Sequence, residues 1–160
     1  RDTEDWCSPD RRFISDDLYF PSPSGRRLGH VCLVTDTSYS MAREELQNSI
    51  EQTLGLIREY SPEKITRIEF CEHVAVFDVI EYGDEYEPPT EFTRGGTCIA
   101  PVFERLDEEG AENIAVMIIF SDMEIDDWPE EPDFPVLCVG TSPPRSYNAP
   151  PDYAEYIDAS

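Results

Sequence analysis

Three short segments carry the residues best suited to chemistry: Asp36-Thr37-Ser38-Tyr39-Ser40, Gly95-Gly96-Thr97 and Ser121-Asp122. The first sits where an apolar run, His30 to Thr35, meets a helical stretch, and it sets a carboxylate and two serine hydroxyls on one tight loop. The second precedes another helical stretch, and the third follows the most apolar run of the chain, Ile114 to Phe120. At the carboxyl end of a parallel strand, such loops face the crevice in which open α/β sheets bind ligands. The donors are hard oxygens, which suit a small divalent cation. Asp36 and Asp122 bring two negative charges, enough to balance one Mg²⁺ or Mn²⁺, while Ser38, Ser40 and Thr97 bring neutral hydroxyls. Mg²⁺ takes octahedral oxygen coordination at about 2.0–2.1 Å and gives up water reluctantly, so these side chains, divided between direct and outer coordination, leave a position for an outside ligand. A competing reading of the first loop is an N-terminal helix cap, because Thr37, Ser38 and Ser40 can each accept from free backbone N–H groups.

The order Asp-x-Ser-x-Ser, then Thr after paired glycines, then Asp after a buried strand, resembles the metal-ion-dependent adhesion site of von Willebrand factor A (VWA) domains. Further residues extend the likeness from about Arg11 to Asp158: Arg11-Arg12-Phe13-Ile14, Asp17-Leu18-Tyr19, Arg27-Leu28-Gly29, and the Arg94-Gly95-Gly96-Thr97 turn with Pro101-Val102-Phe103. Together they look like the VWA-like domain that follows a metallopeptidase-like domain in some bacterial and viral proteins. The resemblance implies a metal held by Asp36, Ser38, Ser40, Thr97 and Asp122, and a protein partner that supplies an Asp or Glu carboxylate to its open position. It thus implies metal-bridged recognition, not catalysis, with an upstream metallopeptidase-like domain or an AAA+ ATPase as the partner. Three residues depart from the family pattern. Tyr39 and Met123 stand where Gly is common, and Cys98 replaces an acid often seen after this Thr. If the position of Tyr39 requires positive φ, an aromatic residue there is strained, which either weakens metal binding or presents the ring to the partner; the plain alternative is a surface aromatic with no role.

The elements that must position these residues follow from hydrophobic spacing. Val31 to Thr35 is a short continuous apolar run, as expected of a strand buried on both faces. Met41 to Tyr60 reads as a helix with Leu46, Ile50, Leu54 and Ile57 on its buried face, ended by Ser61-Pro62. Ile65 to Cys71 and Val74 to Tyr82 read as two strands around Glu72-His73. The acidic stretch Gly83 to Gly96, with Pro88-Pro89, reads as a loop leading to a helix from about Ile99 to Glu109, which Gly110 ends. Ile114 to Phe120 and Pro135 to Val139 are two further buried strands, joined by the acidic loop Asp122 to Asp133, where the usual helix is short or missing. Ser142 to Pro151 is proline-rich, and Tyr153 to Ile157 reads as a last edge strand. The expected fold is α/β: a mainly parallel central sheet flanked by helices, VWA- or Rossmann-like, with one antiparallel edge. Residues 29–160 form this domain, and residues 1–28 form an irregular lead-in that packs Trp6, Phe13, Leu18 and Tyr19 against it.

Composition narrows the function. The 160 residues suit one domain with a proper core. Asp and Glu total 35 against 12 basic residues, of which Lys64 is the one lysine, for a formal charge of −23. Such charge repels itself unless salt screens it and disfavours nucleic-acid binding. With lysine so scarce, it points to the high-salt cytosol of a salt-accumulating, archaeal-type organism or to its virus, free or virion-associated. No signal peptide is visible in the opening stretch, and the strongly apolar runs are far shorter than the ~18 residues of a membrane span. Five cysteines, an odd number, imply no disulfide framework. His30 and His73 lack a zinc-type spacing partner, and there is no His-Glu-x-x-His. Peptidase chemistry would therefore lie in an upstream domain, and this chain is not read as an enzyme. Two alternatives stand beside metal-bridged recognition. One is a Mg²⁺-dependent phosphoryl-transfer or hydrolase site with Asp36 as nucleophile, against which Ser38 occupies the usual place of a second carboxylate. The other is a metal-free acidic interaction domain.

Overall fold

The computed structural model describes residues 29–141 and 150–158. The expected lead-in over 1–28 and most of the proline-rich stretch lie outside the described residues. Apolar runs become strands buried on both faces. In β1 (His30–Asp36) and β4 (Ile114–Ser121), Val31 to Val34 and Met117 to Phe120 are at most 1% exposed. With β2 (Lys64–Phe70), β3 (Val74–Glu81), β5 (Val136–Gly140) and β6 (Ala154–Asp158) they form one six-stranded sheet in the order β3-β2-β1-β4-β5-β6. Every neighbouring pair is parallel except β2 with β3, which forms the expected antiparallel edge.

Alternate side chains divide the core in two. Val31, Leu33, Ile118 and Phe120 join Leu56 of helix α1 (Arg43–Tyr60) on one face. Val34, Ile68, Phe70 and Ile119 join Val102 and Leu106 of helix α2 (Ala100–Glu108) on the other. The buried face of α1 is rotated from the one expected. It consists of Leu46, Ser49, Ile50, Thr53 and Leu56, whereas Leu54 and Ile57 are half-buried. Hydrophobicity alone misplaced the stripe because two of its members are hydroxyl residues, and Ser49 Oγ satisfies itself on the Glu45 carbonyl at 3.0 Å. Helix α2 ends as expected. Gly110 has φ 68°, Ala111 N–H donates to Leu106 O and Gly110 N–H to Asp107 O, the bond pair that closes a helix through a left-handed glycine.

Among the described residues no helix follows β4. In its place the acidic loop returns across the sheet end, and Asp127 accepts from Ile99 N–H and Ala100 N–H, both at 3.0 Å. A carboxylate from this loop thus caps α2 at its positive end.

At the far edge, Gly140 leaves room for the ring of Tyr156 on β6, and a Cβ built there would stand 2.2 Å from the Tyr156 hydroxyl. Gly140→Ala is therefore expected to lower stability by ~1–3 kcal/mol, read as a urea midpoint. Tyr156→Phe in the same chain should recover part of the loss, and an unchanged midpoint for Gly140→Ala would show that this contact does not fix β6.

Candidate metal centre

The chain leaves β1 for α1 on one side of the sheet, and the strand on its other side is β4, with Thr35 in register with Phe120. Neighbouring parallel strands whose connections depart in opposite directions open a crevice at their carboxyl ends. Asp36, the last residue of β1, and Asp122, directly after β4, both lie there and are 0% and 5% exposed.

Asp36 is held by two donors. Ser38 N–H reaches its Oδ1 at 2.8 Å, and Ser121 Oγ reaches its Oδ2 at 2.7 Å. Burial pushes its carboxyl above the usual carboxylate range, the bonds from Ser121 and Ser38 pull it back, and the charge of Asp122 adds to the rise. Among the described residues no Lys or Arg bonds to it. Asp122 Oδ1 accepts from Glu124 N–H at 3.1 Å.

The hydroxyls of the loop are not helix caps. The N-cap of α1 is Ala42, which makes no side-chain capping bond, and Ala42 N–H donates to Glu45 Oε1 at 2.6 Å. This overturns the capping alternative. Ser38 Oγ and Ser40 Oγ instead meet each other at 3.1 Å. Thr37 is buried and bonds the carbonyls of Phe70 and Thr93, pinning the loop to the end of β2 and to the approach of the glycine turn.

The glycine turn is brought alongside. Tyr39 N–H donates to Gly95 O at 2.9 Å, Gly96 N–H to Glu72 Oε1 at 3.0 Å and Cys98 N–H to Cys71 O at 2.8 Å, so Thr97 lies between two anchored residues. No hydrogen bond joins the Thr97 hydroxyl to Asp36, Ser38, Ser40 or Asp122 among the described residues. Gly95 is not at positive φ; an added Cβ would stand 2.9 Å from Glu72 Oε1, the end of an exposed side chain, and 3.3 Å from the buried Cys71 Sγ. Arg94 donates to the carbonyls of Thr37 and Ser38, each at 2.9 Å, and to that of Met41. One guanidinium thereby spans the whole first loop and spends its donors on backbone.

Sequence reasoning did not find the roles of Arg94, Ser121 or Glu45. Arg94 and Ser121 adjoin the motifs, yet their function depends on which carbonyl or carboxylate the fold brings opposite. The departures from the family pattern resolve differently. Met123 has φ 68° and is 1% exposed, so a non-glycine residue does occupy a left-handed position and is held there by packing in the α2-side core. Tyr39 is not at positive φ, so the condition for strain is not met, and the residue is 76% exposed. The Cys98 thiol is raised by burial and by Asp127, Asp126 and Glu72, the reverse of what a nucleophilic cysteine needs.

Among the described residues no three His, Cys, Asp or Glu side chains are grouped to hold a metal. The candidate set differs in kind, with two carboxylates and three hydroxyls. Among the described residues, too, no helix is long and apolar enough to cross a membrane.

Residues 31–160 match the family model described as a VWA-like domain (DUF2201). The fold is similar to the crystal structure of the Deinococcus radiodurans RO (RSR) protein, with a TM-score of 0.51 at 14% identity. That match covers 86% of this chain but 32% of the other, so the chain spans about a third of that protein. At this identity the likeness concerns the fold alone. No curated protein matches the sequence.

The raised Asp36 carboxyl sets a pH dependence for the metal-free protein. Below the unfolded carboxylate value of ~3.9, Asp36 is neutral in both states and costs nothing. As pH rises the unfolded chain ionises first, and folding is opposed increasingly until the higher folded-state value is passed. In EDTA, Asp36→Asn should therefore match the parent near the acid limit and show a higher urea midpoint at neutral pH. A lower midpoint for Asp36→Asn at neutral pH would contradict the burial penalty.

Proposed function

The chain belongs to the VWA-like domain family, and from that membership we propose that it is a Mg²⁺-dependent protein-binding module with an adhesion-type site. The observation that carries the reading is a pair of buried carboxylates, Asp36 and Asp122, at one sheet end, with no Lys or Arg bonded to Asp36 among the described residues. Uncompensated buried charge is costly, and a divalent ion is its simplest relief. The donor chemistry fits: Asp36 and Asp122 neutralise the ion, while Ser38, Ser40 and Thr97 offer hard, neutral oxygens at the same sheet end. Bound there, Mg²⁺ or Mn²⁺ would supply a Lewis-acidic position open to an outside oxygen.

This chain's own residues do the remaining work. Arg94 and Thr37 fix the loop backbone, the Ser38 amide orients the Asp36 carboxylate, and Ser121 holds its second oxygen. A partner's Asp or Glu would complete the coordination, making this recognition and not catalysis. Candidate partners are an upstream metallopeptidase-like domain or an AAA+ ATPase. The acidic composition favours work in a high-salt cytosol or a virion, away from nucleic acid and membrane.

One observation favours a metal-free interaction domain instead. Both Asp36 oxygens already accept hydrogen bonds, so the loop can stand without an ion.

Calorimetric titration of Mg²⁺ in molar KCl separates the two readings. Saturable binding is expected for the parent and is expected to vanish in Asp36→Ala and weaken at least tenfold in Thr97→Ala. Identical heats for parent and Asp36→Ala would leave the metal-free reading.

A further inference from the structure

At the opposite end of the sheet from Asp36 lies a groove of about 740 Å³, within the ~300–1,000 Å³ span of ligand sites. It opens between α2, the turn into β4 and the end of the acidic loop. Its position is fixed by register: Ile114, which heads β4, pairs with His30 at the start of β1, six residues before Asp36. The His30 ring bonds the Glu112 carbonyl at 3.1 Å, tying the groove wall to β1.

The floor is apolar. Phe103, Ala111, Ile114 and Phe134 line it as half-buried extensions of the α2-side core, joined by Leu106. The rim is acidic. Asp107, Glu112, Glu130, Glu131 and Asp133 surround the floor, and among the described residues no Lys or Arg lines the groove. Among the described residues none of these five carboxylates has a cationic partner. The nearest candidate on α2, Arg105, is committed elsewhere, 2.9 Å from Glu109 and over the Phe77 ring.

Among the described residues nothing covers the apolar floor and nothing neutralises the rim, and both features ask for the same ligand chemistry. We propose that this groove docks an extended peptide segment of a protein partner, in which aliphatic side chains alternate with Arg or Lys. Alternation is dictated by geometry, because successive side chains of an extended segment point to opposite sides. Aliphatic groups then enter the floor, while the long Arg or Lys side chains on the other side bend back past the backbone to the rim carboxylates. Apolar burial supplies affinity, and the charges supply approach rate and selectivity. The groove is separate from the candidate metal centre and does not depend on it.

The test uses the full chain in EDTA at moderate salt and a fluorescently labelled eight-residue peptide of alternating Leu and Arg. Fluorescence anisotropy is expected to give saturable binding. A peptide of alternating Ser and Arg should bind at least tenfold more weakly, since it keeps the charge but not the floor contact. Glu130→Arg with Glu131→Arg should weaken the Leu–Arg peptide at least tenfold. Glu85→Arg with Glu87→Arg, which changes the net charge equally away from the groove, should leave it unchanged. A urea midpoint equal to the parent's checks that each variant is folded. Equal binding of the two peptides, an equal loss in both charge variants, or no binding by the parent would each overturn the proposal.

Discussion

Much of this structure hangs on the pairing of β1 with β4. Their register sets Thr35 beside Phe120, so the two residues that follow the buried runs, Asp36 and Asp122, arrive together at one sheet end. Two carboxylates that burial would keep apart are thus forced into proximity by strands that are themselves held by apolar packing on both faces. Everything around them manages the consequence. Ser38 N–H and Ser121 Oγ donate to Asp36, Arg94 and Thr37 tie down the loop that carries it, and the glycine turn closes against Tyr39. Burial, with the charge of Asp122 added to it, raises the Asp36 carboxyl, and the hydrogen bonds from Ser121 and Ser38 offset part of that rise.

The acidic loop after β4 is a second organising element. In place of a helix it offers Asp127 to the free N–H groups of α2, and carries Trp128 and Phe134 onto the core. The same loop begins at Asp122 beside Asp36 and ends as one wall of the acidic groove. A chain with a net charge of −23 concentrates carboxylates on this connection, between the apolar residues Met123, Ile125, Trp128 and Phe134 that anchor it, and keeps its sheet interior apolar. Salt screening lowers the mutual repulsion of such exposed groups far more than it affects a buried pair.

The fold was largely legible in the sequence because its strands are short apolar runs bounded by turn residues, a pattern that identifies doubly buried strands. The two-residue interval at Glu72-His73 admits no helical crossover, and β3 is the antiparallel edge. What periodicity missed is what depends on tertiary partners. The buried stripe of α1 includes Ser49 and Thr53, which hydropathy places outside. The three segments of the candidate site were visible as motifs, and the structure gathers them at one end of the sheet. The capping alternative for Ser38 and Ser40 could be rejected only once Ala42 and Glu45 were seen to begin α1. Arg94 lay one residue from a motif, yet nothing local to it announces that three backbone carbonyls of a distant loop will meet its guanidinium. Met123 shows the reverse: its departure from glycine was legible, but the packing that holds it at positive φ was not.

The central claim is that Asp36, Asp122 and their neighbouring hydroxyls form a divalent-cation site. Its most direct test is anomalous diffraction from crystals of the full chain grown with Mn²⁺. The account predicts one strong peak at the carboxyl ends of β1 and β4, within ligand distance of oxygens from the Asp36 loop and Asp122, with Thr97 turned toward it. A peak confined to the acidic loop beyond Glu124, or none at saturating Mn²⁺, would contradict it.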